Sequence, residues 1–371
     1  MKRQLLGVAA FMLALSAHAQ DNPLWMRYCA ISPDGTSIAF TYKGDIYTVP
    51  VNGGKAAQIT TNAAHDTHPV WSPDGKQIAF ASDRMGSMDI FVVDREGGIP
   101  KRLTTHSGNE TPVAFKDADH ILFLANVMPS AEDAQFPSGQ FQQVYEVSTT
   151  GDRPVMFSSM PMEDISINKT GNALLYHDKK GYEDPWRKHH TSSITRDIWL
   201  CSLDGKRSYR KLTSFNGEDR TPVWASDGKS FYYLSEEKGS FNVFKRALDG
   251  TSSTQLTHHT KHPVRFLTAA DNGTLCYGYD GEIYTMKEGT EPRKVQISIL
   301  TDKNDKDLIR QIRRNGATEI ALSPDAKEVA FILRGDVYVT SVEYKTTKQI
   351  TNTPEQERDI NFAPDGRSIV Y

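Results

Sequence analysis

The sequence is short of several things, and each shortage excludes a class of protein. Beyond the first twenty residues, no stretch is long and apolar enough to cross a bilayer as a helix. Neither sign of charge dominates: 43 Lys and Arg face 46 Asp and Glu, a formal net charge of -3, which offers no basic field to nucleic acid and no polybasic patch to a membrane. Only three cysteines occur, Cys29, Cys201 and Cys276, far apart and each beside strand-like residues such as Tyr28, Leu200 and Tyr277. A disulfide framework would show more of them, in even number, so they read as buried strand thiols. Catalytic signatures are missing too: there is no Gly-x-Ser-x-Gly elbow, no P-loop and no His-Glu-x-x-His. Ser, His and Asp are plentiful, but a triad is a geometry that composition does not supply. No catalytic residue, cofactor or metal is assigned to this segment.

The N-terminus reads as an address. Lys2 and Arg3 make a positive head, Leu5 to Leu15 an apolar stretch too short to span a membrane, and Ala17-His18-Ala19 a small-x-small cleavage site. Residues 1–19 are therefore expected to be a signal peptide. Gln rather than Cys at position 20 points to an exported soluble protein, periplasmic or secreted, and away from a lipoprotein.

What the chain has in abundance is a repeat. Clear copies are "ISPDGTSIAF" from Ile31, "WSPDGKQIAF" from Trp71, "WASDGKSFYY" from Trp224, "LSPDAKEVAF" from Leu322 and "FAPDGRSIVY" from Phe362. Fainter ones begin at Ala114, Ile165 and Leu267. Within a unit, an apolar strand such as "HPVW" meets a Pro-Asp-Gly turn, in which Pro fixes φ and Gly supplies a positive one. An alternating strand ("QIAFAS"), another ("DIFVVD"), a Gly-rich turn and a last strand ending in Leu-Thr follow. Four strands in roughly 40 to 45 residues make one blade of a β-propeller, and a blade cannot bury both faces alone.

The fold class expected is all-β: a six-bladed propeller of four-stranded antiparallel blades over 20–300, a charged linker over 301–316, and at 317–371 the first blade and a half of a second, truncated propeller. Half a blade would leave an open hydrophobic edge, so a longer protein is expected. For the ring itself, too few residues precede the first inner strand to lend an outer strand to the last blade, and Arg293 to Ile299 reads as blade six's own. Closure would then rest on apolar packing between blades one and six, with no shared strand, and hydrogen exchange should be fastest at that junction.

In an up-and-down blade the short turns gather on one face and the loops after the second strand, with the crossings between blades, on the other. That second face holds the unusual residues. Two insertions, Asn126 to Gln143 and Lys179 to Arg196, belong to neighbouring blades and should sit side by side. Trp186, Arg187, Lys188, His189 and His190 could contact a peptide or partner, or simply pack within their loop. Asp66, Glu110, Glu218 and Asp219 could ring the channel mouth and attract cationic termini, or cap the tight crossings. His65 with His68, or His258, His259 and His262, invite a zinc reading but lack the partners for it.

At "SPDGKQIAF" with its "LTT" ending, the units resemble the WD-like repeats of TolB-type propellers and tricorn-type proteases. The two-propeller plan, the run from Ala317 to Tyr371 and "RKHHTSSITRDIW" from Arg187 resemble the exported tricorn-like serine proteases of Bacteroides-type bacteria. The resemblance covers essentially the whole mature chain. It implies a six-bladed and a seven-bladed propeller ahead of a PDZ domain and a serine-peptidase domain, with the propellers guiding unfolded peptides or oligopeptides, and a possible homo-oligomer. None of the family's catalytic residues maps onto this segment. A TolB-like envelope binding module, and the propeller of a prolyl-oligopeptidase or dipeptidyl-peptidase type enzyme, remain as alternatives, although both normally have one ring.

Overall fold

A computed structural model describes residues 23–126, 141–182, 184, 186, 192–300, 313–344 and 346–371. The chain divides into two units, Met1–Asp302 and Lys303–Tyr371. Among the described residues every regular element is a strand.

The repeat motif explains its own turn. In blade one the Ser32 hydroxyl donates to Asp34 Oδ1 at 2.6 Å and accepts from the Ser37 N–H at 3.0 Å, while the Gly35 N–H donates to Ser32 O at 2.8 Å. Ser72, Asp74, Gly75 and Gln77 repeat the arrangement in blade two. Gly35 and Gly75 sit at φ +74° and +68°, where a side chain would strain the backbone. The Leu-Thr ending has an equally local cause. Thr60, Thr104, Thr213 and Thr257 each accept, at 2.9 Å, the N–H of the first apolar residue of their blade's third strand: Ile46, Ile90, Ile198 and Val243. Each hydroxyl thereby satisfies a buried donor where the outer strand leaves the ladder.

Six such blades form the first unit. Their inner strands are Arg27–Ile31, Asp66–Trp71, Glu110–Phe115, Met162–Ile167, Asp219–Trp224 and Arg265–Ala269. Each lies against the next, and the sixth against the first, so the chain closes a ring. The core is divided among the six seams. One apolar cluster lies at each, from Ala30, Ile46, Ile78 and Phe80 between blades one and two to Phe40, Tyr47, Cys276 and Ile283 between one and six. The Trp of the motif adds a polar tie across two seams: Trp71 Nε1–H donates to Ala30 O, and Trp224 Nε1–H to Ser166 O, both at 2.9 Å. Trp71→Phe should remove one of these ties and lose about 1 kcal/mol of stability, read from urea unfolding.

Closure differs from the expectation of an unshared seam. Arg293–Lys294 is the outer strand of blade six, but the chain then crosses to blade one. There Ile297–Ile299 runs parallel to the outer strand Gly54–Gln58, Ile297 opposite Gly54 and Ile299 opposite Ala56. Blade one thus has a fifth strand, and the Gly54 N–H donates to Gln296 O at 2.8 Å. A Cβ on Gly53 would stand 2.5 Å from Gln296 O, so glycine makes the crossing possible. Arg293 to Ile299 reads as one strand because neither Gly nor Pro marks the break at Val295–Gln296. Shared hydrogen bonds remove the reason to expect fast exchange at that junction.

The second unit holds a four-stranded antiparallel sheet, Ala317–Leu322, Glu328–Leu333, Asp336–Ser341 and Thr347–Gln349, and a hairpin of Asn361–Phe362 with Ile369–Val370. Ala330, Ile332, Val337 and Ile360 are its buried apolar centre. Thr351 accepts the Val337 N–H at 2.8 Å, as its counterparts do in the first unit.

Candidate functional site at the mouth of the axial channel

The inner strands are not smooth. Each pairs with its neighbour through a shifted register, as between Arg27 and Ala30 or between Thr67 and Val70, so an extra residue bulges from the ladder. In five blades a bulge residue adopts left-handed backbone without being glycine: Tyr28 (φ +53°), His68 (+54°), Asp164 (+47°), Thr221 (+51°) and Phe266 (+57°). Blade three carries Pro112 there, whose ring forbids a positive φ. Each left-handed residue costs about 1 kcal/mol or more. All five line a cavity of about 990 Å³ along the axis, bounded at its other end by turn residues such as Pro33, Pro73 and Asp271.

The wall has two characters. On one arc, the rings of His68 and Tyr28 have centroids 3.6 Å apart, and those of Tyr28 and Phe266 4.9 Å. Trp186, from blade four's long loop, reaches Phe266 edge-on at 6.3 Å and lies 4.8 Å from the Arg27 guanidinium and 4.9 Å from that of Arg265. Arg265 Nη2 also donates to Trp186 O at 2.9 Å, which holds this residue at the mouth. Burial pushes the His68 imidazole down to about 4, so this ring is neutral at pH 7 and adds to the apolar arc.

The opposite arc is polar. Thr221 Oγ1 donates to Asp164 Oδ2 at 2.6 Å, its N–H donates to His177 Nδ1 at 3.3 Å, and His177 Nε2 faces Glu163 Oε2 at 3.2 Å. Burial alone would raise the Glu163 carboxyl, but His177, Arg196 and Lys179 outweigh it and hold the group well below the usual carboxylate range. Behind it, Arg196 reaches Glu163 at 3.4 Å and Glu218 at 2.8 Å, and Arg220 lies 3.6 Å from Glu218 and 4.0 Å over Phe241.

The four carboxylates singled out from the crossings are buried and face partners of their own chain. Asp66 is held by Arg84 Nη2 at 3.0 Å to both oxygens, Glu110 accepts the Thr104 hydroxyl, and Glu218 takes Arg196. The backbone N–H groups of Asp66, Glu110 and Asp219 donate to Gly44 O, Met88 O and Arg196 O of the preceding blade. Of the loop residues, Trp186 stands at the mouth; Arg187, Lys188, His189 and His190 lie outside the described residues, as does most of the Asn126 to Gln143 insertion. His65 is exposed, His259 stacks on Tyr279 at 3.9 Å, and His262 faces Asp280 at 3.3 Å. Among the described residues no group of three His, Cys, Asp or Glu could hold a metal.

Sequence reasoning missed Tyr28, Asp164, Thr221 and Phe266, because nothing in an inner strand's alternation marks which residue will bulge. The one available signal is positional: each falls just after a crossing, at the start of an inner strand.

Burial raises both Asp219 and Glu110 to about 7. The unfolded chain releases these protons near pH 4 and the folded chain keeps them to about 7, so stability should fall as pH rises through that window. Asp219→Asn should flatten the fall by roughly 2–4 kcal/mol, measured by urea unfolding at pH 5 and pH 7.5. An unchanged slope would contradict the assignment.

Residues 23–292 match the tricorn protease N-terminal beta propeller domain. The chain belongs to that family. It is 25% identical over 355 residues to tricorn protease homolog 1 of Streptomyces coelicolor, covering 94% of this chain and 32% of the relative. Identity to the tricorn protease of Thermoplasma acidophilum is also 25%, over 86% of this chain and 29% of that one. The crystal structure of a tricorn protease superposes with a TM-score of 0.65 at 18% identity, covering 92% of this chain and 33% of the other, a likeness of fold. The tricorn-type propeller chain thus spans about a third of the length of these relatives.

Proposed function

We propose that this tricorn-type propeller binds extended, unfolded peptide segments at its axial mouth and guides them toward or away from a serine-peptidase domain of the longer protein, performing no hydrolysis itself. The observation that carries the reading is the two-sided wall. Tyr28 and Phe266 offer flat apolar faces for side chains, while Asp164 and Thr221 offer hydrogen-bonding groups for a backbone. Strain repeated at five bulges, all turned to the same cavity, agrees with a surface built for a ligand. The protein would be exported, with its mature chain starting at Gln20, which N-terminal sequencing of the cell-envelope fraction would check.

The direct test is fluorescence anisotropy with a labelled pool of unstructured decapeptides. Tyr28→Ala and Phe266→Ala should each weaken binding about ten-fold, whereas Val155→Ala, on an exposed outer strand, should not. Equal affinity in all three variants would overturn the channel reading. Peptide turnover by the chain, abolished by a point substitution within it, would overturn the non-catalytic one.

A further inference from the structure

The three cysteines are not equivalent. Cys201 lies in the seam between blades three and four, whereas Cys29, on the inner strand of blade one, and Cys276, on the second strand of blade six, meet in the seam that closes the ring. Their orientation follows from the backbone pairing. Cys276 stands opposite Thr268 in the antiparallel pair of blade six, and the Thr268 hydroxyl crosses to blade one, accepting the Ile31 N–H at 3.1 Å. A side chain on that face of Cys276 therefore points at blade one. Cys29 points back: its Sγ donates to Phe266 O at 3.5 Å, and both sulfurs fall in one cluster with Ala270 and Ile283.

We propose that Cys29 and Cys276 are a latent disulfide pair that staples the first blade to the last near the hub, as Ile297–Ile299 straps them at the rim. The seam is where a cross-link constrains the unfolded chain most, because it closes a loop of nearly the whole propeller. The oxidant is an external disulfide, whether a glutathione-type small molecule or a thiol oxidoreductase. One cysteine thiolate attacks it, forming a mixed disulfide and releasing one thiol. The second attacks the mixed disulfide, forming the Cys29–Cys276 bond and releasing the other. The pair loses two electrons and two protons, and the external disulfide takes up both. Full burial and the neighbouring Cys29 sulfur raise the Cys276 thiol in the closed seam, so exchange belongs to folding or to moments when the seam opens.

The test is refolding of the whole chain from reducing denaturant, once into reductant alone and once into mixed reduced and oxidised glutathione. After oxidising refolding, one free thiol rather than three should be titrated, and peptide mapping should link the Cys29 and Cys276 peptides at the loss of two hydrogens. The cross-linked form should melt higher by about 5–10 °C. Cys201→Ala must still form the link, and Cys29→Ala and Cys276→Ala must not. Three free thiols, a bond to Cys201, a link between chains, or an unchanged melting temperature in the cross-linked form would each overturn the proposal.

Discussion

Replacing Arg196 by alanine is expected to cost about 3–5 kcal/mol, the largest effect of any single charge removal in the propeller. The guanidinium sits between two carboxylates: Glu163 at 3.4 Å, which Lys179 also reaches at 2.7 Å, and Glu218 at 2.8 Å, the latter fully buried. Deleting it leaves Glu218 with Arg220 at 3.6 Å and removes one of the cations that hold Glu163 ionised. The penalty is desolvation that the remaining partners offset only in part, which exceeds the net worth of an exposed pair. A double-mutant cycle with Glu218→Gln should recover part of the loss, since the second substitution removes the stranded charge. A loss below about 1 kcal/mol in urea unfolding would mean that water reaches the network and that it behaves as a surface one.

The second large effect is expected at Ile297. This residue opens the strand that straps blade six to blade one and is 2% exposed in the seam cluster with Val49, Ala56 and Val295. Ile297→Asp places an unpaired carboxylate there and should cost about 3 kcal/mol or more. The signature that separates strap loss from general destabilisation is local. Amide exchange along Gly54–Gln58 should accelerate to the rate of an open edge strand, while the seams between blades two and five keep their protection. Val155→Asp, on an outer strand whose Val155 is 65% exposed, should change stability by under about 0.5 kcal/mol. Uniform loss of protection around the ring would show that the strap is not a separate element of closure.

The blades were legible because their determinants are local. The Ser-Pro-Asp-Gly turn is completed by hydrogen bonds within six residues, and the Leu-Thr ending by one hydroxyl and one amide of the same blade. The strap was not, because Ile297–Ile299 finds its partner at Gly54–Gln58, across the whole propeller in sequence. Asp66, Glu110, Glu218 and Asp219 were visible as unusual residues in the crossings, but their burial depends on Arg84, Thr104 and Arg196, which other strands and loops supply. Trp186 was legible as an aromatic in a long loop; its place between Arg27 and Arg265 was not, since those residues come from blades one and six.

Sequence alone therefore determined the strand quartets, their turns and the count of blades, all set by backbone conformations and hydrogen bonds that a dozen consecutive residues contain. Tertiary structure decided how the ring is shut, which side chains the bulges turn to the axis, and which cysteines meet. Each of these is a contact between residues far apart in the chain, and its energy depends on a partner that no local pattern names.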